Sequence, residues 1–298
     1  MLYIGSHVSF KKDSQLLGSL MEALSYGATT FMFYTGAPQN TARYPINDEL
    51  TLKALEMMKQ KNIDYRKVIV HAPYIINLAN SLDQDKYKFS IRFLSEEIDR
   101  CSKLGITNLV LHPGSHVGSG ESVGIRSIVY ALNQLLTDSS VTILLETMAG
   151  KGTEIGKTFE EIKEIIDGVN NKDKIGVCLD TCHMNDSGYD ITNFDEVLDE
   201  FDKIVGLKYV KCIHINDSKN IKGAKKDRHE NFGFGNIGFY NLIKIVYNER
   251  LKDVPKILET QYVDRLYPTY FEEIEMIKNK KFDKELIEKI RNNNKKSK

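Results

Sequence analysis

The chain ends six successive short apolar runs on a histidine or a carboxylate, and the spacing between those residues is nearly constant. Val68-Ile69-Val70 leads into His71, Leu109-Val110-Leu111 into His112, Ile143-Leu144-Leu145 into Glu146 and Val177-Cys178-Leu179 into Asp180. Ile213 precedes His214, and Ile257-Leu258 precedes Glu259. The successive gaps are 41, 34, 34, 34 and 45 residues, a length that suits one strand followed by one helix. Two further runs, Tyr3–Val8 and Thr30–Tyr34, come earlier in the chain. All eight are too short for buried helices and rich in Val, Ile, Leu or Tyr, the character of parallel strands covered on both faces.

Helical patterns fill the intervals. Tyr87–Leu104 places Ile91, Leu94, Ile98 and Cys101 on one face, with Gly105 as the stop. Phe159–Val169 repeats the pattern with Ile162, Ile165 and Ile166, closed by Gly168. Asn193 is expected to cap a helix through Phe194, Val197, Leu198 and Phe201 that ends near Gly206. Eight strands alternating with helices predict a single (β/α)8 TIM barrel over residues 1–285, with a doubly wound sheet as the alternative. Residues 286–298, basic and asparagine-rich from Arg291 onward, are expected to form a solvated, frayed tail.

Composition narrows the class. With 41% apolar and 28% charged residues in 298, the chain suits a soluble globular protein with a sizeable core. No stretch approaches the roughly 20 apolar residues of a membrane span. The start, Met1-Leu2-Tyr3-Ile4-Gly5-Ser6-His7, lacks the basic and apolar regions of a secretory signal, which points to the cytoplasm. There Cys101, Cys178, Cys182 and Cys212 are expected to stay reduced, with Cys178 and Cys212 filling the core. Net charge is zero, so bulk electrostatics neither advertise nor exclude a nucleic-acid partner. Local charge is uneven: residues 208–228 hold Lys208, Lys211, Lys219, Lys222, Lys225, Lys226 and Arg228 against Asp217 and Asp227.

A lone carboxylate after an apolar run is ordinarily a helix cap, and a lone histidine is ordinarily structural. Six in phase are different, because a barrel carries its chemistry at the C-terminal ends of its strands. Converging carboxylates there repel one another unless cations neutralise them. Imidazole with carboxylate suits zinc or manganese better than calcium. Asp180-Thr181-Cys182-His183 adds a histidine just beyond the sixth strand, and Asp227-Arg228-His229 adds a pair from the loop after the seventh. Read alone, that second pair is an ordinary surface loop. Together the nine candidates use five of the seven histidines and exceed the needs of one ion. A cluster of two or three metals follows, and two metals sharing a carboxylate are a common device for displacement at phosphorus.

Several multi-residue blocks resemble the endonuclease IV family of apurinic/apyrimidinic endonucleases. They are His112-Pro113-Gly114-Ser115, Asp180-Thr181-Cys182-His183, His214-Ile215-Asn216-Asp217, Lys226-Asp227-Arg228-His229-Glu230 and Gly235-Asn236-Ile237-Gly238. The resemblance runs from Gly5-Ser6-His7-Val8-Ser9 to Leu258-Glu259-Thr260. It implies three zinc ions per chain, with manganese an option at some sites. One would be held by His71, His112 and Glu146; the second by Glu146, Asp180, His214 and Glu259; the third by His183, Asp227 and His229.

The implied activity is hydrolysis of the phosphodiester 5′ to an abasic site in double-stranded DNA, leaving a 3′-hydroxyl and a 5′-deoxyribose phosphate. Cleaning of blocked 3′ ends would accompany it, and the enzyme would act as a monomer away from membranes. Glu146 and Glu259 would orient the attacking hydroxide. Tyr74 and Ile75 resemble a family wedge into DNA, and Gln39, His7 and Arg228 are further substrate-facing candidates. His116 is grouped with His7 near the same barrel end. The loop Tyr34–Asn40 departs from members with an arginine–aromatic insertion, and Glu146-Thr147-Met148 departs from an asparagine-containing version. The rival reading is a divalent-metal sugar isomerase or epimerase on the same barrel, which would need only Glu146, Asp180, His214 and Glu259.

Overall fold

The computed structural model describes residues 1–295. Its strands in chain order are β1 (Ile4–Ser6), β2 (Met32–Phe33), β3 (Ile69–His71), β4 (Asn108–Leu111), β5 (Thr142–Glu146), β6 (Ile175–Asp180), β7 (Val210–His214), β8 (Asp217–Ser218), β9 (His229–Glu230) and β10 (Lys256–Leu258). Eight of them form one parallel sheet in the order β1-β10-β7-β6-β5-β4-β3-β2. A parallel bridge between His7 and Met32 joins its two ends, so the sheet closes into a barrel and the doubly wound alternative falls away. The closing seam depends on Gly5: a Cβ there would lie 1.8 Å from the Thr30 carbonyl oxygen. β8 and β9 form a separate antiparallel pair in the loop after β7.

The helices α1 (Gln15–Ser25), α2 (Asp48–Gln60), α3 (Gln84–Leu104), α4 (Glu121–Leu135), α5 (Phe159–Gly168), α6 (Thr181–Ser187), α7 (Phe194–Ile204), α8 (Phe239–Val246), α9 (Tyr270–Asn279) and α10 (Leu286–Lys295) fall between and after the strands. None among the described residues is long and apolar enough to cross a membrane. Two apolar layers result. Ile4, Val70, Leu111, Leu145, Leu179, Ile213 and Leu258 belong to the large core cluster that also contains the buried helix faces. Met32, Ile69, Val110, Leu144, Cys178, Cys212 and Ile257 form a second cluster from the alternate strand positions, filling the barrel itself.

Three sequence expectations change. The buried face of α3 includes Glu97 and Arg100, while Ile91 and Ile98 are only half-buried. The reason is a polar clamp on the loop after β2: Glu97 accepts from Thr35 Oγ1 at 2.7 Å and Arg43 Nε at 2.6 Å, and Arg100 donates to the Thr35 and Tyr44 carbonyls. α5 ends on Gly168 as expected, and a Cβ there would meet Val129 at 2.7 Å. Asn193 stands at the cap position of α7 without a side-chain cap bond. Finally, the expected frayed tail begins as a helix, because Leu286 and Ile290 are buried in the core cluster and Arg291 pairs with Asp264 at 3.1 Å. The rest of that expected tail, 296–298, lies outside the described residues.

Candidate metal centre

Side chains alternate along a strand, so the residue two positions beyond the barrel-filling layer points inward again at the C-terminal mouth. Above Met32, Ile69, Val110, Leu144, Cys178, Cys212 and Ile257 this places Tyr34, His71, His112, Glu146, Asp180, His214 and Glu259. His7, bridged to Met32, completes the ring. Six of these eight positions are the strand-end residues read from the sequence.

Glu146 sits at the centre of the cluster, buried. Its Oε2 lies 3.1 Å from His71 Nε2 and 3.2 Å from His112 Nε2. Its Oε1 lies 3.2 Å from Nδ1 of both His183 and His214. The two oxygens therefore face two different pairs of imidazoles. His214 Nδ1 is also 3.0 Å from Glu259 Oε2 and 3.8 Å from Asp180 Oδ2. Alongside, His183 Nε2 lies 3.1 Å from Asp227 Oδ1, and His229 Nε2 lies 3.5 Å from that same oxygen. Asp180 stands between the second and third groups, since its Oδ2 is also 3.7 Å from His229 Nε2. All nine candidates converge.

The charges are strongly coupled. Burial alone would raise the Glu146 carboxyl, but His214 and His112 outweigh it and hold the group well below the usual range. Burial wins at Asp180, which is raised despite His183 and His229. Burial pulls His183 down, yet Asp180, Asp227 and Glu146 lift it well above an ordinary imidazole. Against burial, His183 and His229 bring Asp227 to about 2. Four carboxylates among five imidazoles demand positive charge, which protons or divalent cations can supply.

The ring orientations fit cations. His71 Nδ1 donates to the Ala72 carbonyl at 2.7 Å, His183 Nδ1 to that of Thr147 at 2.9 Å and His229 Nδ1 to that of Glu259 at 3.4 Å. A ring N–H committed to a carbonyl leaves the other nitrogen with its lone pair, the usual arrangement of a metal-binding histidine. In each case that other nitrogen is Nε2, which faces the carboxylates, and Nε2 of His229 is buried with no hydrogen-bond partner. His71, His112 and Glu146 bring one ligand atom each within 4.8 Å of one another, as do Asp180, His183 and His229. Oxygen and nitrogen donors of this kind suit zinc.

The remaining candidates lie around this centre. His7 points into the ring with Nε2 buried and unpartnered, its imidazole 5.2 Å from the Tyr34 ring. Tyr74 is 54% exposed, whereas Ile75 is half-buried against the core. Gln39 and Arg228 are exposed on the loops after β2 and β7. His116 lies in the loop after β4, where its Nδ1 accepts from the backbone of Gly118 and Gly120 and shapes a turn. Three contributors escaped the sequence reading. Tyr34 was findable, being two residues beyond an inward strand position. Thr147, whose Oγ1 accepts from Asp180 N at 2.9 Å, and Asn216, whose Nδ2 donates to Asp180 Oδ2 at 2.9 Å, carry no charge and no spacing signal.

Residues 20–280 match the family described as xylose isomerase-like TIM barrel. The chain is 55% identical over 299 aligned positions to "Probable endonuclease 4" of Bacillus thuringiensis, covering 98% of this chain and 99% of that protein. It belongs to the endonuclease IV family. The crystal structure of endonuclease IV from Thermus thermophilus superposes with a TM-score of 0.80 at 26% identity, covering 93% of this chain and 98% of that one. A D-tagatose 3-epimerase-like protein superposes at 0.65 with 18% identity, over 93% and 99% of the two chains, and shares the fold alone. The likeness to epimerases therefore supports the barrel fold alone.

Proposed function

We propose that this chain is a DNA-repair endonuclease that hydrolyses the phosphodiester 5′ to abasic sites in double-stranded DNA. The products are a 3′-hydroxyl and a 5′-deoxyribose phosphate, and blocked 3′ ends are further substrates. The observation that carries the reading is the division of Glu146 between His71 and His112 at one oxygen and His214 at the other, next to a third group of His183, Asp227 and His229. An isomerase would have no use for His71, His112 or that third group.

His71, His112 and Glu146 hold one zinc, Glu146, Asp180, His214 and Glu259 a second, and His183, Asp227 and His229 a third; manganese substitutes at some sites. Bound there, the ions supply Lewis acidity, lowering the pKa of water and neutralising phosphate oxygens. The protein's part is placement. Glu146 and Glu259 orient the attacking oxygen with their carboxylates at the barrel mouth. His7, whose Nε2 is buried without a protein partner, donates from it as an N–H to a phosphate oxygen. Arg228, beside Asp227, and Lys219, Lys222, Lys225 and Lys226 make a basic rim that draws the DNA backbone. Tyr74 and Ile75 act as the wedge at the missing base, and Gln39 reaches the duplex from the loop after β2. The enzyme works as a cytoplasmic monomer.

The test is an end-labelled duplex carrying one abasic-site analogue beside an intact duplex, each with zinc-replete and chelator-stripped protein. Metal-dependent scission 5′ to the lesion with a 3′-hydroxyl product is expected. Folded, fully metallated protein that leaves the lesion uncut would overturn the reading in favour of a sugar isomerase.

A further inference from the structure

The loop that carries the third ligand group is gripped by a residue outside it. Asp186, near the end of α6, is fully buried, and its carboxylate accepts four hydrogen bonds. Oδ1 takes Ser218 Oγ at 2.6 Å and Asn185 Nδ2 at 3.0 Å; Oδ2 takes Asn220 Nδ2 at 2.8 Å and the backbone N–H of Asp227 at 2.9 Å. Its main-chain carbonyl accepts the Lys225 N–H at 2.9 Å, and the Asn185 carbonyl accepts the Gly223 N–H at 2.9 Å. The end of α6 thus holds the loop at residues 218, 220, 223, 225 and 227.

The backbone explains why a grip is needed. Lys225 and Asp227 have φ of 54° and 55°, a left-handed conformation that residues with side chains keep only when their surroundings enforce it. Asp227 in that conformation points Oδ1 at His183 Nε2, 3.1 Å away. Relaxation of its φ would swing the carboxylate out of the group. A nearby carboxylate is an apt clamp, because hydrogen bonds from N–H to an ionised oxygen are stronger than those between neutral groups.

We propose that Asp186 is a positioning residue for the third metal: it fixes Asp227 in ligating geometry before any ion binds. This rests on the three-zinc reading above. Asp186 touches neither metal ligand side chains nor substrate, so its effect is confined to the ion that Asp227 holds. If it served only the stability of the barrel as a whole, its loss would weaken all three ions alike.

The test begins with stripped wild-type protein titrated with zinc against a competing chelator, alongside Asp186→Ala and Asp186→Asn. Wild type takes up three ions. Asp186→Ala should bind two with wild-type affinity and the third 10–100-fold more weakly, the usual effect of losing an outer-shell partner. Its kcat should fall with KM little changed, and excess zinc should restore it. Asp186→Asn keeps one acceptor oxygen, and the Ser218 hydroxyl can turn to meet the new amide, so it should retain more third-ion affinity than Asp186→Ala.

Hydrogen exchange of the Asp227 amide in stripped wild type gives a second check that needs no variant. Protection is expected. Three ions at wild-type affinity in Asp186→Ala, equal weakening of all three, or an unprotected Asp227 amide would each overturn the inference and leave the three-zinc reading standing. A wild type that binds only two ions would remove both.

Discussion

Asn216 holds Glu259 at both ends: its Oδ1 accepts the Glu259 backbone N–H at 2.8 Å, and its Nδ2 donates to the Glu259 carboxylate at 3.2 Å. The same Nδ2 reaches Asp180 Oδ2 at 2.9 Å. One neutral amide thus ties together two carboxylates that would otherwise repel. On the proposed zinc assignment, Asn216→Ala should weaken the second ion about 10–100-fold and lower kcat by a similar factor. Zinc titration against a competing chelator reads this directly. Unchanged affinity would mean that the two carboxylates hold their geometry unaided.

Glu146 makes a sharper prediction because one of its oxygens faces His71 and His112 and the other faces His214, which the proposal gives to a different ion. Glu146→Gln keeps the volume but loses the charge and one acceptor. Two ions should therefore be lost together, and turnover should fall by about 1,000-fold or more, roughly 4 kcal/mol of transition-state stabilisation. His71→Ala, a ligand assigned to one ion only, should lose a single ion. Metal content after dialysis separates the cases, and loss of one ion from Glu146→Gln would contradict a bridging role.

The barrel was readable because parallel strands covered on both faces become continuous apolar runs, and because six of them end on charged or imidazole side chains. Period-two alternation then brings those six to one mouth without further instruction. Neutral supports left no such mark. Asn216 and Thr147 look like ordinary loop polar residues until the neighbouring strands set them against Asp180. Glu97 and Arg100 broke the expected apolar face of α3 because their partners, Thr35, Arg43 and Tyr44, lie more than fifty residues away. In the tail, Leu286 and Ile290 have helical spacing, but the basic, asparagine-rich stretch beside them masked it.

Stripping the metal should leave the barrel folded but less stable. Its two apolar clusters lie beneath and around the ligand ring and do not require ions. The proposed ligand ring gains most from them, since without ions its carboxylates rely on protons for neutralising charge. Zinc at about a thousand times its dissociation constant stabilises by about 4 kcal/mol per site. For a domain of this size, one site alone should shift Tm by on the order of 10 °C. Thermal unfolding with and without chelator checks this; an unshifted Tm would show that the folded protein gains nothing from the ions.

Lys256 provides a pH test well away from the chemistry. It is fully buried at the start of β10, where its Nζ donates to the Leu251 carbonyl at 2.6 Å. Burial pushes its amine down from 10.5 to about 8, with Asp253 opposing only in part. Below pH 8 both folded and unfolded chains hold the proton, so the folded state bears the whole cost of a buried ammonium. Between about 8 and 10.5 the folded chain sheds the proton first, and stability must rise with pH. Lys256→Met removes the titrating group while keeping most of the volume. Between pH 7.5 and 10, wild type should therefore gain on Lys256→Met by on the order of 3 kcal/mol. Denaturant unfolding of both stripped proteins at the two pH values measures the difference. A gap that stays constant across that range would mean the amine keeps its ordinary affinity for the proton inside the fold.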